Sequence, residues 1–291
     1  MGSPVILDDG WIASCVGFYC GKNYAVTKFL MAHDSPDPRF SAWIAALDER
    51  HLATLTLPEV GRALRALSSC YVERRSRLAE GAALDGAGKR AAFALFYAPL
   101  HFQTTAHILG ELGAPQVREI VDLGCGTGAA GSAWALAAPS ARITGLDRSA
   151  WAIAEANWTY RQLGIRGRAV RQDLVRAPLP ARRGLGILAA YAVNELDDTA
   201  RATLLPRLLD VAARGTVLLV VEPIARRLAP WWAAWESAFL NAGGRADEWR
   251  FPSRLPDRQR QLAKSAGLNP QELTARSLFL SGRGGGTADP R

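Results

Sequence analysis

Two carboxylates and three glycines stand at spacings that suit a nucleotide-like ligand. Asp122 ends an apolar run and is followed by Gly124, Gly126 and Gly128, and Asp147 ends a second apolar run 19 residues later. Glycines permit positive φ angles and let backbone N–H groups approach a ligand closely. An acid at the next strand tip can bind ribose hydroxyls. The pattern therefore predicts a ligand site where two neighbouring parallel strands end.

Two cofactors are compatible with such a loop. The stretch 126–131 reads G-x-G-x-x-G, which is typical of dinucleotide binding. In that motif the first glycine follows the strand directly, whereas here Asp-Leu-Gly-Cys stands in between. The form D-x-G-x-G-x-G, residues 122–128, instead resembles motif I of the class I S-adenosylmethionine methyltransferases.

This resemblance implies a set of cofactor contacts. Asp122 would help hold the amino-acid portion of S-adenosylmethionine and Asp147 its ribose. The loop itself and the residue after Asp147 would complete this part of the site; they are Gly124, Cys125, Gly126, Gly128 and Arg148. After the third predicted strand, Asp173 and its neighbour Leu174 would lie against the adenine. The alternative for Asp173 is a loop aspartate that caps a turn.

The end of the fourth predicted strand offers candidate catalytic residues. In this fold the reactive atom meets the methyl group there, because strand ends face the crevice. Asn194 and Glu195 are candidates for orienting a nucleophile, and Glu195 for accepting a proton. As alternatives, Asn194 suits a helix N-cap and Asp197 the first turn of the next helix.

The methyl acceptor is left open by the sequence. Methyl transfer from a sulfonium depends mainly on alignment and on exclusion of water. Signatures of two harder reactions are absent: no Asn-Pro-Pro-aromatic motif follows strand four, and no Pro-Cys or Thr-Cys dipeptide occurs. The residues therefore do not specify the acceptor atom.

The cysteines indicate neither a disulfide framework nor a metal site. They stand at positions 15, 20, 70 and 125, without a CxxC pair or a nearby histidine cluster. We expect reduced thiols and a cytoplasmic protein. No apolar run reaches about 18 residues, so no membrane span is expected.

The chain is basic, with a formal charge of +8 that comes from 31 arginines and only four lysines. Arginine forks match phosphate geometry, which favours a nucleic-acid partner. A GC-rich genome is the alternative explanation. Residues 161–183 hold seven arginines against one acid, Asp173. A second group comprises Arg62, Arg65, Arg74, Arg75 and Arg77.

The pattern of apolar runs predicts an α/β protein with a Rossmann-like sheet, helices on both faces and an N-terminal helical region. We expect residues 1–115 to form that region, 116–281 the cofactor-binding domain and 282–291 a disordered tail. The alternation after residue 117 predicts parallel strands. The predicted strands cover 118–123, 142–147, 167–172, 185–192, 215–221 and 277–280. The predicted helices cover 128–138, 149–163, 196–213, 226–241 and 256–267.

Two helices are predicted ahead of the sheet. Thr56, Pro58 and Glu59 form a helix start with a capping box, and apolar residues follow at helical spacing. A second helix is expected from Ala91 through Leu112, bent near Pro99. Its aromatic residues suit a core, but Tyr97 and His101 are candidates for the cofactor mouth, because the helix before motif I often shapes it in this superfamily.

A closer resemblance is carried by several segments of residues 57–225. They include the Leu57-Pro58-Glu59 and Ala91-Ala92-Phe93-Ala94 stretches, motif I, Asn194-Glu195-Leu196 and Val221-Glu222-Pro223. Together they resemble the methyltransferase-like proteins of the small ribosomal subunit, found in mitochondria and bacteria. This chain lacks the later cysteines that bind an iron–sulfur cluster in that family, and it carries Trp231, Trp232, Trp235 and Trp249 instead.

Three functions follow from these observations. The first is methylation of small-subunit ribosomal RNA with S-adenosylmethionine. The second is methylation of a small molecule, with the tryptophans at 231, 232 and 235 covering an apolar substrate unless they serve as core. The third is a non-catalytic ribosome assembly factor that keeps the methyltransferase fold.

Overall fold

The computed structural model of the chain describes residues 37–73, 84–224, 229–268 and 270–282. Its helices are α1 (Pro38–His51), α2 (Leu57–Glu73), α3 (Ala87–Ala92), α4 (Ala98–Glu111), α5 (Ala129–Ala137), α6 (Ala150–Gln162), α7 (Asp198–Ala213), α8 (Trp232–Asn241) and α9 (Asp257–Ser265). Its strands are β1 (Glu119–Leu123), β2 (Arg142–Asp147), β3 (Gly167–Arg171), β4 (Leu185–Ala190), β5 (Val217–Glu222), β6 (Arg245–Pro252) and β7 (Glu272–Leu280). A π-helical turn, Phe93–Tyr97, joins α3 to α4, and a 3₁₀ turn, Val193–Glu195, follows β4.

Some sequence expectations fall outside the described residues. They concern the first two cysteines, Arg74, Arg75 and Arg77 of the second arginine group, and the predicted tail beyond Gly282.

The strands form one sheet in the order β3-β2-β1-β4-β5-β7-β6. β1 pairs in parallel with both β2 and β4, so the strand order reverses there and opens a crevice at the carboxyl ends. β4 is buried along its whole length, as expected for a parallel strand covered on both faces. The predicted Rossmann-like fold is therefore confirmed.

Helices cover both faces of this sheet. On one face Trp134 of α5 and Tyr160 of α6 are buried against β-strand residues, together with Ile108 of α4. On the other face Leu208 of α7 and Trp235 of α8 are buried. Burial of these large apolar side chains supplies most of the driving force that holds the layers together.

The helices ahead of the sheet share a separate apolar cluster with the C-terminal helix α9. Trp43 of α1, Leu64 of α2 and Phe96 of the π turn are buried there with Leu262 of α9. α2 begins as predicted, because the backbone N–H of Thr56 donates to Glu59 Oε2 at 2.7 Å. The region predicted to be N-terminal and helical therefore packs on both the sheet domain and the end of the chain.

The structure corrects the expected sheet and one expected helix. β7 runs antiparallel to both β5 and β6, and β6 was not predicted because none of its eight residues is buried and four of them are charged. The helix expected to bend near Pro99 is instead interrupted by the π turn just ahead of that proline. There Ala98 N–H donates to Phe93 O, and the extra residue shifts the helical register before Pro99, which has no N–H to donate.

Candidate active site

The glycine loop between β1 and α5 turns through three left-handed residues. Gly124, Gly126 and Gly128 have φ angles of 70°, 51° and 76°, a region that side chains disfavour. A Cβ on Gly124 would lie 2.7 Å from Ala192 Cβ, and one on Gly128 would lie 2.7 Å from Tyr160 Cε1. The nearest atom to a Cβ on Gly126 would be 3.9 Å away. The outer two glycines therefore allow tight packing, whereas at Gly126 there is room for a Cβ.

Asp147 joins the tips of β1 and β2. Its Oδ2 accepts the backbone N–H of Gly126 at 3.0 Å, and its Oδ1 accepts the N–H of Ser149 at 2.8 Å. The Ser149 side chain in turn caps α6 by accepting the N–H of Ala152. Asp147 is half-buried and lines the cavity beside the loop, so it combines a structural role with a position suited to ribose.

Asp122 lies beneath the loop and is almost fully buried. Its Oδ2 has no hydrogen-bond partner among the described residues. Burial and, to a lesser extent, the charge of Asp147 raise the pKa of Asp122 to about 7, against the opposing effect of the backbone N–H of Gly131. A buried carboxylate of this kind favours a cationic or N–H-bearing ligand, because such a partner offsets the cost of desolvation.

Cys125 also lies in the loop and lines the cavity. Burial raises the pKa of its thiol well above the ordinary value, and the nearby Asp122 and Asp147 add to the shift. The thiol is therefore protonated at neutral pH and is a weak nucleophile. Its predicted role is to line the cofactor site.

The next loop brings Asp173 and Leu174 to the same cavity. Asp173 Oδ1 accepts the N–H groups of Val175 and Arg176 at 2.8 and 3.1 Å, which is the turn-capping arrangement. Leu174 packs against Gly124, since a Cβ there would meet Leu174 Cδ2 at 3.3 Å. The adenine contact predicted for Asp173 is compatible with this turn, which leaves its Oδ2 available.

The 3₁₀ turn after β4 separates the two candidate catalytic residues. Glu195 lines the cavity, but Asn194 is absent from its lining. Asn194 Oδ1 accepts the indole N–H of Trp231 at 3.0 Å. The helix N-cap is Asp197, whose Oδ1 accepts the N–H of Ala200. Asn194 thus faces a tryptophan behind the cavity wall, and the alternative of Asn194 as N-cap is wrong.

A buried carboxylate on β5 holds this turn, and we did not predict it as part of the site. Glu222 Oε1 accepts the backbone N–H groups of Val193 and Asn194 at 2.8 and 3.1 Å. The pKa of Glu222 is raised to about 8. Burial is the main cause, and it outweighs the lowering effect of these two hydrogen bonds and of the nearby Arg276. Its position in a short Glu-Pro motif was the available signal.

Aromatic residues form one wall of the cavity, beside the glycine loop. Phe93, Tyr97 and His101 come from the π turn and α4, and Tyr191 follows β4; all four line the cavity. The rings of His101 and Tyr191 are stacked, with centroids 3.8 Å apart and planes 12° apart. Tyr97 and His101 therefore line the cavity, and their place at the mouth of a cofactor site stays a prediction. Tyr191 was missed, because only the fold brings it opposite α4.

The tryptophans at the start of α8 belong to the core and do not cover a substrate, as the alternative in the sequence analysis stated. Trp232 and Trp235 are buried between α8 and the sheet, and Trp231 packs beside them. The cavity lining contains none of the three.

The cavity has a volume of about 830 Å³, near the upper end for small-molecule sites. Its features fit S-adenosylmethionine: the space at Gly126, the unsatisfied buried oxygen of Asp122 and the carboxylate of Asp147. Within the described ranges no cluster of His, Cys, Asp or Glu is suited to hold a metal ion. Nor does any helix there combine the length and apolar character of a membrane span.

Comparison with known proteins agrees with this geometry. Residues 120–215 match the family model described as a methyltransferase domain. A 66-residue segment is 44% identical to the ribosomal RNA large subunit methyltransferase G of Streptomyces coelicolor. That segment is 22% of this chain and 18% of the relative, so the chain matches less than a fifth of that protein's length.

Solved structures of two methyltransferases are also similar. One is a SAM-dependent methyltransferase from Aquifex aeolicus, at 14% identity and a TM-score of 0.44, covering 63% of this chain and 93% of that one. The other is an O-methyltransferase from neocarzinostatin biosynthesis in complex with S-adenosylmethionine, at 19% identity and a TM-score of 0.40, covering 62% and 57%.

The sheet topology, the glycine loop and the matched family model define a class I S-adenosylmethionine-dependent methyltransferase domain. Its cofactor is S-adenosylmethionine. The individual cofactor contacts and the closer resemblance to proteins of the small ribosomal subunit stay predictions.

Proposed function

We propose that the whole protein transfers a methyl group from S-adenosylmethionine to RNA, and that this RNA belongs to the small ribosomal subunit, as the closer resemblance implies. Asp122, Asp147 and the glycine loop would hold the cofactor, with Arg148, Asp173 and Leu174 around its nucleoside part. The bound cofactor supplies an already activated methyl group. The protein then has to position the acceptor and exclude water.

The residues of the cavity suit these two tasks. Phe93, Tyr97 and Tyr191 build an apolar wall that excludes water on the side of the acceptor. Glu195 is the candidate for accepting the proton of the acceptor, since its carboxylate is exposed and lines the same cavity. Asn194 acts indirectly, because its side chain fixes the turn that carries Glu195.

The observation that carries the RNA proposal is the cluster of exposed arginines beside the cavity. Arg148 and Arg176 line it, and Arg171 Nε donates to the backbone oxygen of Arg148. Across the described residues, none of these three forms an ion pair with a carboxylate. Exposed guanidinium groups without acidic partners suit the phosphates of a nucleic-acid strand.

The similarity to a ribosomal RNA methyltransferase supports the same substrate class. A small aromatic acceptor is the second candidate, favoured by the aromatic wall of the cavity. Such an acceptor gives no role to the exposed group of Arg148, Arg171 and Arg176, which is why RNA comes first.

The direct test is methyl transfer from radiolabelled S-adenosylmethionine. Protein-free small-subunit RNA, intact small subunits and large-subunit RNA serve as acceptors, with Asp147→Asn as the variant impaired in cofactor binding. Labelling of small-subunit RNA that is lost in the variant would confirm the proposal. Labelling of large-subunit RNA alone would refute the choice of subunit. Cofactor and RNA binding without turnover would instead favour the assembly factor.

The arginine cluster is tested by the salt dependence of RNA binding. Each phosphate contact contributes about 0.7 to the slope of log K against log salt for single strands. We expect Arg148→Gln, Arg171→Gln and Arg176→Gln in one chain to lower the slope by about 2. Arg142→Gln is the control, because Arg142 is also exposed but begins β2, whereas Arg148 follows the other end of that strand. An unchanged slope in the triple variant would contradict the proposed path of the RNA.

A further inference from the structure

The aromatic wall has a geometry that suits one class of acceptor. His101 and Tyr191 are stacked on each other, and Phe93 lies 5.9 Å from His101 at 79°, edge to face. Tyr97 adjoins both Phe93 and His101, with centroids 5.8 and 6.2 Å away. All four residues also line the cavity, and aromatic rings attract planar π systems.

The wall is fixed in place before any ligand binds. Tyr97 Oη shares a buried hydrogen bond of 3.0 Å with Ser68 Oγ of α2. Tyr191 adopts a φ of 58°, which is unusual for a non-glycine residue, and its N–H donates to Val221 O at 2.8 Å. A backbone conformation that side chains disfavour persists only where the surroundings impose it, and it is common at ligand sites.

The wall also stands beside the cofactor end of the cavity. Phe93 Cε1 would be 3.9 Å from a Cβ on Gly126, so this ring borders the room at the middle of the glycine loop. Ala192, next to Tyr191, packs against Gly124. A ring resting on the wall therefore lies next to the place where the glycine loop would hold the cofactor.

The charged and polar groups around the wall favour a nucleobase over other planar rings. Burial lowers the pKa of His101 to about 3, so at neutral pH this ring is uncharged and stacks as an aromatic. Glu195 lines the same cavity, and its carboxylate accepts hydrogen bonds from N–H groups, which every nucleobase carries on its pairing edge. Arg148 and Arg176 at the cavity suit the phosphates that flank a base.

We propose that the aromatic wall of Phe93, Tyr97, His101 and Tyr191 is the acceptor subsite, and that it binds a single unpaired nucleobase by stacking. This inference rests on the proposed function and narrows it to a base of single-stranded or locally opened RNA. Base–aromatic stacking is sequence-tolerant and strong enough to change affinity about tenfold or more per base.

The test measures RNA binding to protein saturated with S-adenosylhomocysteine, which prevents turnover. The probes are a fluorescent single-stranded RNA of about nine nucleotides and the same ribose-phosphate chain without bases. We expect the base-bearing strand to bind about tenfold tighter. Tyr191→Leu should remove this preference, whereas Tyr191→Phe, which keeps the ring, should retain it. The affinity for S-adenosylhomocysteine should stay within about twofold in both variants, which shows that the fold is intact.

Equal binding of the two strands by the unaltered protein would overturn the inference. So would a full preference for bases in Tyr191→Leu. Tight binding of 1-naphthoic acid without any preference for base-bearing RNA would assign the wall to a small aromatic acceptor and also overturn it. A failure to bind S-adenosylhomocysteine at all would instead refute the proposed function itself.

Discussion

The backbone N–H of Gly126 donates to Oδ2 of Asp147 across 3.0 Å. This bond ties the middle of the glycine loop to the tip of the neighbouring strand. The Gly126 N–H is therefore already used and is not a donor to the cofactor. What Gly126 contributes is space, because only at this glycine of the three does a Cβ meet no atom closer than 3.9 Å.

Gly126→Ala should impair cofactor binding more than folding. Its φ of 51° makes alanine cost about 1 kcal/mol, and the new methyl group would enter the cavity. We expect S-adenosylmethionine to bind at least about tenfold more weakly, with a small drop in melting temperature. Gly128→Ala is the comparison, since its Cβ would collide with Tyr160 and should lower the melting temperature further. Calorimetry measures the cofactor affinity, and thermal unfolding measures the melting temperature. An unchanged affinity in Gly126→Ala would contradict the proposal that Gly126 leaves room for the cofactor.

Asp147→Asn should weaken S-adenosylmethionine binding by about 10- to 100-fold, because hydrogen bonds to a charged group contribute about 1.5–3 kcal/mol each. Asparagine also holds the loop less well, so the effect combines cofactor contact and loop order. Asp210→Asn is the control: Asp210 is exposed on α7, where it pairs with Arg214. The affinity of both variants for S-adenosylmethionine is measured by calorimetric titration. If Asp147→Asn binds as tightly as Asp210→Asn, Asp147 does not contact the cofactor.

Glu222→Gln should change how stability depends on pH. The pKa of Glu222 is raised to about 8 in the folded protein and is near 4.3 in the unfolded chain. Between these values the folded state binds more protons, so this group makes the protein less stable as pH rises. Glutamine keeps the oxygen that accepts the N–H groups of Val193 and Asn194 but does not titrate.

We therefore expect Glu222→Gln to gain stability relative to the unaltered protein between pH 5 and pH 8, by on the order of 1–3 kcal/mol. Urea unfolding at both pH values measures the change. A stability difference that stays constant over this range would show that Glu222 does not titrate there. Asp122, with a pKa raised to about 7, adds a slope of the same sign that is common to both proteins.

Glu155→Ala should loosen the attachment of α1 to the sheet domain. Glu155 of α6 is buried, and its carboxylate accepts from Arg50 Nε at 3.2 Å and contacts His51 Nε2 at 2.7 Å. Loss of a buried partner is costly, but Arg50 is partly exposed and can regain water. We expect a loss of about 2 kcal/mol, seen as a lower melting temperature.

The control for this variant is Glu119→Ala, which removes the exposed ion pair with Arg182. Exposed pairs contribute about 0–1 kcal/mol, so the melting temperature should barely change. If the two variants lower the melting temperature equally, the buried ion pairs of Glu155 contribute no more stability than the exposed pair of Glu119.

The glycine loop and its strands were predictable because local rules determine them. The spacing of Asp122, the three glycines and Asp147 predicted a ligand site at the strand tips, where the cavity lies, and apolar runs located β1 to β5 within one or two residues. Apolar strands followed by small, turn-forming residues need no distant partner to be recognised. The capping box at Thr56 was found for the same reason, since its atoms lie within one helical turn.

Only the tertiary structure decided the acceptor side of the cavity. The stack of Tyr191 on His101 joins residues 90 positions apart, and Glu222 reaches a turn 28 positions away. Asn194 faces Trp231 and Glu195 faces the cavity, although the two are adjacent in sequence. The two side chains point to different surroundings, because the direction of each depends on which distant strand and helix pack against the turn. Periodicity and local spacing in the sequence do not predict such long-range contacts.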